Sequence, residues 1–185
     1  MRILVTGVGR SGNSWVATTL ATSPGSSVLR EPDTIESSPF AMRALRGLGA
    51  NPVVDVGDPG PRDLVRLWDA AFGGPAPYIR GQQRIADFFF DRADVGQRKQ
   101  TCHPTAPRIT PGLRVAGALA VPWRSNGPDH QVVKSIRLPF ALEWVAARWR
   151  PVVIVCRRHP LDVVASQLEL GHERELQWLA PSARE

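Results

Sequence analysis

The stretch R-I-L-V-T-G-V-G-R-S-G-N-S-W, from Arg2 to Trp15, decides the fold. Arg2 to Thr6 are a short apolar run ending at glycine, the pattern of a buried strand. Gly7 to Gly12 predict a turn, and Ser14 to Thr22 carry apolar residues at helical spacing up to the break at Pro24-Gly25. Ser27 to Arg30 are a second strand candidate, running into Glu31-Pro32. A glycine loop between a strand and a helix turns backbone N–H groups into one concavity. The helix N-terminus adds roughly half a positive charge there, so the opening predicts a phosphate-binding unit.

The last third continues the alternation. Gln131 to Lys134 and the fully apolar V-V-I-V-C of Val152 to Cys156 read as strands, while Pro139 to Trp149 and Leu161 to Leu170 read as helices. Strands alternating with helices predict an α/β fold: three layers, a parallel sheet with helices on both faces. The middle is less patterned. Pro61 to Ala71 predicts an amphipathic helix with Leu64, Leu67, Trp68 and Ala71 on one face. Asn51 to Arg62 and Thr101 to Pro111, rich in proline and glycine, predict loops, and Val115 to Val121 fits a strand or a helix fragment equally well.

Bulk numbers narrow the classes. The chain has 185 residues, 43% of them hydrophobic, enough for one domain over 1–185 with a real core and too few for two. Its formal charge of +6 comes almost wholly from arginine, since Lys99 and Lys134 are the only lysines. That balance favours anionic ligands. The arginines are scattered singly, with no basic run or aromatic-interleaved strip, which argues against a nucleic-acid partner. Met1 to Thr6 is far shorter than a signal-peptide core or a transmembrane span, so the expectation is a cytoplasmic protein. Cys102 and Cys156 lie far apart with no zinc-type spacing, so neither a disulfide framework nor a metal is expected. Oligomeric state has no signature in the sequence.

Three ligand classes compete for Gly7 to Ser14. The segment fits G-x-x-x-x-G-x-S, but Asn13 stands where a nucleoside-triphosphate loop carries its lysine. It also fits the dinucleotide pattern G-x-G-x-x-G, with Glu31 placed to hold a ribose. Against a short-chain dehydrogenase, which needs a tyrosine–lysine pair, the single tyrosine, Tyr78, has no lysine close after it. The strand Val152 to Cys156 leads into R-R-H-P-L-D-V-V-A-S, where an arginine at a strand end and a serine one to two turns into a helix suit a second phosphate.

The pair V-T-G-V-G-R-S-G-N-S-W and V-I-V-C-R-R-H-P-L-D-V-V-A-S, with V-V-K-S at Val132 to Ser135 between them, resembles the sulfotransferase family. The resemblance covers about the first thirty residues and about forty near the end, leaving Phe40 to His130 unmatched. It implies a P-loop NTPase-like fold and 3′-phosphoadenosine 5′-phosphosulfate (PAPS) as donor. It also implies a small-molecule, carbohydrate or lipid acceptor with a hydroxyl or amine, chosen by the unmatched middle. Arg10 matches the basic residue of the family's first loop, and Gly9, Ser11, Gly12, Asn13 and Ser14 the turn that cradles the phosphosulfate; Asn13 replaces a usual threonine. Arg158 and Ser166 match the pair that grips the 3′-phosphate, with Arg157 as a neighbour one residue away. Arg10 and Lys134 would steady charge during transfer.

The family histidine after the central lysine–serine pair is missing, since Ile136-Arg137 follow Lys134-Ser135. Other branches use a glutamate shortly after the first helix, which makes Glu31 the candidate general base. His130 and His159 read as polar loop residues, and most of the six tryptophans as core or acceptor-pocket wall. Family members commonly continue well past the arginine–serine segment, so a variant lacking the usual C-terminal part is expected. A kinase-like or dinucleotide enzyme and a non-catalytic nucleotide-binding fragment stand as alternatives.

Overall fold

In the computed structural model, residues 1–36, 38–73, 80–101, 109–122 and 130–170 are described. Four strands, β1 (Arg2–Gly7), β2 (Ser26–Arg30), β3 (His130–Ser135) and β4 (Val152–Cys156), form one sheet in the order β2-β3-β1-β4. Every pairing is parallel. The C-terminal ends of the strands, at Gly7, Arg30, Ser135 and Cys156, therefore share one edge, where open parallel sheets bind ligands.

Pleating splits the strand side chains between two cores. Ile3, Val5 and Val132 pack with Ala17 of α1 (Asn13–Leu20), while Leu4 and Val133 face the opposite side. That second side is covered by α2 (Pro39–Ala44), α3 (Arg62–Ala71), α4 (Arg80–Asp91), α6 (Pro111–Leu119) and α7 (Leu142–Trp149). The expectation of a parallel sheet with helices on both faces agrees with this arrangement. Leu64, Leu67, Trp68 and Ala71 are all buried, as the α3 pattern predicts. Trp144 and Trp149 stack edge-to-face at 5.0 Å between centroids, and Trp149 Nε1 donates to Asp69 Oδ1 at 2.8 Å, which ties α7 to α3. Aromatic side chains this deeply buried contribute roughly 2–3 kcal/mol each.

Several elements differ from the sequence reading. Val115 to Val121 resolves as the end of α6, continuing into an extended segment. The helix expected from Pro139 begins only at Leu142, after a turn over 139–141. β4, apolar throughout, is an edge strand with Val152 and Val155 half exposed, because β1 is its only neighbour among the described strands. Three helices have no counterpart in the sequence reading: α2, α4 and α5 (Val95–Gln100). The loop expected over Thr101 to Pro111 lies mostly outside the described residues, as do Tyr78, Cys102, Trp123 and Trp178.

Among the described residues no helix is long and apolar enough to cross a membrane. No cluster of histidine, cysteine and carboxylate side chains gathers there as a metal site.

Candidate phosphate-binding site

Two glycines shape the first loop. Gly7 closes β1 at φ 142°, and a Cβ there would stand 2.2 Å from the Cys156 carbonyl oxygen, so only glycine lets the ends of β1 and β4 approach. Gly12 caps α1 at φ 93°, a backbone conformation that side chains rarely adopt. Between them the loop braces itself. Asn13 Nδ2 donates to the carbonyls of Gly7 (3.2 Å) and Val8 (3.3 Å). Ser11 Oγ donates to Val8 O at 2.6 Å and also meets Asn13 Oδ1. The Ser11 and Asn13 side chains thus hold the loop's shape, and the amide donors left for a ligand are backbone ones. Among the described residues, the N–H groups of Gly12, Asn13 and Ser14 donate to no backbone carbonyl. They are the orphan donors of a helix start, at its positive end.

Arg10 sits in the left-handed region at φ 68° and sends its guanidinium across to α8 (Pro160–Leu168), where Nε donates to Ser166 Oγ at 3.1 Å. Arg158, in the β4–α8 connection, donates from a guanidinium nitrogen to Arg10 O at 3.4 Å. The loop and the Arg158–Ser166 segment are therefore in direct contact. Gly9, Arg10, Gly12, Asn13, Ser14, Trp15, Lys134, Ile136 and Arg158 line one cavity of about 400 Å³. Arg157, one residue from Arg158, is exposed and does not line it.

Glu31 and Lys134, read separately from the sequence, form one ion pair, Nζ to Oε1. Register explains the meeting. Arg30 of β2 pairs with Lys134 of β3, so the residue after β2 falls beside the lysine. Glu31 N donates to Lys134 O at 2.7 Å, and the left-handed turn at Glu31, φ 51°, brings its carboxylate to the ammonium. Non-glycine residues in this region cost of order 1 kcal/mol each and gather at functional sites. Among the described residues only Arg10, Glu31 and Arg150 adopt it, and two of the three are here.

No protein-family model, curated protein or solved structure matches the chain.

Two residues of the site escaped the sequence reading. Trp15 is 73% exposed and walls the cavity, whereas most tryptophans were expected in the core or the acceptor wall. The signal available was its position one residue after the loop serine, on the first turn of α1. Asp33 is buried and accepts from Ser135 Oγ at 2.6 Å. Burial pushes its carboxyl up to about 6, against the Ser135 hydrogen bond, which lowers it; the nearby Glu31 charge raises it further. The signal was a second carboxylate two residues beyond Glu31.

His159, His130 and Cys156 do not line the cavity. His159 caps α8, its Nδ1 accepting from Leu161 N at 3.3 Å. His130 opens β3, at the opposite edge of the sheet from the site. Cys156, a free thiol, is pushed up by burial.

Proposed function

We propose that the chain is a sulfotransferase of P-loop-like fold, holding PAPS at the C-terminal edge of the sheet and transferring sulfate to a hydroxyl or amine. One observation carries the reading. Two segments some 150 residues apart, the Gly7–Ser14 loop and the Arg158–Ser166 stretch, meet through Arg10–Ser166 and Arg158–Arg10 hydrogen bonds. A ligand with a single phosphate chain needs only the loop. A second arginine and hydroxyl beside it suit a ligand with a separate second phosphate.

The residues present fit such a donor. The N–H groups of Gly12, Asn13 and Ser14 would hold its phosphosulfate end, and Arg158 with Ser166 its 3′-phosphate. The exposed face of Trp15 offers the adenine a stacking surface, an interaction worth about 1–3 kcal/mol per base. When bound, the donor supplies an activated sulfuryl group, and its spent form is adenosine 3′,5′-bisphosphate.

Around that position the chain's own groups divide the work. Arg10 and Lys134 place positive charge where negative charge develops, in a preformed concavity that needs little reorganisation. Glu31 takes the proton of the acceptor, for which its carboxylate must first part from the Lys134 ammonium. The cation needed at the transferring group and the base needed at the acceptor thus hold each other until both are used. Competing readings find less support. A dinucleotide site needs Glu31 open to a ribose, and a triphosphate loop needs a lysine where Asn13 braces the backbone. The acceptor, whether a small molecule, a carbohydrate or a lipid, falls to the helices between β2 and β3.

Titration of the wild type and Arg158→Ala with adenosine 3′,5′-bisphosphate tests this. The variant is expected to bind about 1.5–3 kcal/mol more weakly, roughly 10- to 150-fold, while adenosine 5′-monophosphate, lacking the 3′-phosphate, binds both alike. Equal affinity for the bisphosphate in the two proteins would remove the assignment.

A further inference from the structure

A second cleft, of about 520 Å³, opens between α2 and α6 at the start of α3, and shares no lining residue with the phosphate site. Its walls are of two kinds. Met42, Leu113 and Gly117 are buried and form an apolar floor, joined by Ile109. Arg43, Arg46 and Arg114 stand around it with a single carboxylate, Asp63.

The arginines are not equivalent. Arg43 is spent on Asp63, held by Nε at 2.7 Å and a terminal nitrogen at 2.8 Å, and Arg66 approaches the same carboxylate at 3.5 Å. Arg98 pairs with Asp91, and Arg137 and Lys99 with Glu36. Arg46 and Arg114 have no carboxylate among the described residues, and both line the cleft. Among the described residues, two guanidinium groups without a carboxylate thus share the lining of one cleft with an apolar cluster. Its volume lies in the ordinary range for small-ligand sites, roughly 300–1,000 Å³. A guanidinium presents its N–H groups as a planar fork that matches the oxygens of a carboxylate or phosphate.

The geometry points to a binding site for an acidic amphiphile: an oxyanion head, carboxylate or phosphate, between Arg46 and Arg114, with an apolar body against Met42, Leu113 and Ile109. The inference does not rest on the sulfotransferase reading, because no donor-site residue takes part.

Calorimetric titration of the full chain with decanoate, decyl phosphate and decanol tests it. Either acid is expected to bind while the alcohol binds at least about tenfold more weakly, and the stronger of the two acids identifies the head. Arg46→Gln combined with Arg114→Gln should weaken the acid about tenfold or more, the usual worth of hydrogen bonds to a charged group. Ala118→Trp, which puts an indole into the cleft and removes no charge, should abolish binding. Adenosine 3′,5′-bisphosphate titrated into the same variants should behave as in wild type, which separates this site from the other. The inference is overturned if neither acid binds, if decanol binds as well as the acids, or if the folded variants bind as wild type does.

Discussion

Replacing Asp33 by asparagine should change how stability depends on pH. Asp33 is fully buried, and its carboxyl stands near 6 in the folded chain against 3.8 for the free side chain. Its proton is thus held more tightly in the folded state by about 3 kcal/mol, at about 1.4 kcal/mol for each pH unit. The sign follows from proton counting. Between these two values the folded chain binds more protons than the unfolded one, so stability falls as pH rises. The contribution is fully present below about pH 3.8 and is lost as pH passes through about 6. Above that, the ionised carboxylate stays buried with Ser135 Oγ as a partner and Oδ1 without one.

Asparagine keeps the shape and can accept the Ser135 hydroxyl, but it does not titrate. Relative to wild type, Asp33→Asn should gain about 2.4 kcal/mol between pH 4 and pH 7.5, the rest of the ~3 kcal/mol falling below pH 4. Urea unfolding of both proteins at several pH values, followed by tryptophan fluorescence, measures that difference, and subtracting the two curves removes the other carboxylates. A difference that stays flat over this range would refute the buried, proton-holding Asp33.

Two further expectations follow from the same edge of the sheet. Gly7→Ala drives a methyl group into the Cys156 carbonyl, 2.2 Å from its ideal position, in a left-handed backbone, and should cost about 2 kcal/mol or more in urea unfolding; an unchanged midpoint would mean that β1 and β4 do not close as described. Glu31→Gln should leave the affinity for adenosine 3′,5′-bisphosphate nearly intact while sulfate transfer falls about 10²-fold or more, and full turnover in that variant would exclude Glu31 as the base.

What could be read from the sequence was the sheet and its loop. β1 and β4 are short apolar runs bounded by glycine, proline or a charged pair, β3 is a valine pair between polar residues, and an alternation of strands and helices has few parallel solutions. The helices between β2 and β3 were harder for separate reasons. The α2 segment P-F-A-M-R-A is a single turn and a half, held by the Ser38 cap on Ala41 N and by burial that only the folded chain provides. The α5 segment has no buried residue; Asp94 caps it, and Arg98 ties it to the Glu36 carbonyl at 2.7 Å. In α4 the apolar residues share one broad face, yet Ala86 and Phe90 are buried while Ile85 and Phe88 are exposed, so the pattern does not say which part of that face packs.

The site was legible as a list of residues with one pairing, Arg158 with Ser166, whereas the structure bonds Ser166 to Arg10. Arg10, Glu31, Lys134, Arg158 and Ser166 could each be singled out, but Arg10 with Ser166 and Glu31 with Lys134 depend on sheet order and register, which local periodicity does not carry. Asn13 illustrates the same limit. Its amide can donate to a phosphate in principle, and the fold turns it onto Gly7 and Val8 instead.

The central claim is that this edge holds a nucleotide with two separate phosphates. Calorimetric titration of the wild-type chain with adenosine 3′,5′-bisphosphate, ATP and NADPH tests it most directly. The account predicts micromolar binding of the bisphosphate, with ATP and NADPH bound far more weakly. Heat from ATP or NADPH and none from the bisphosphate would contradict it.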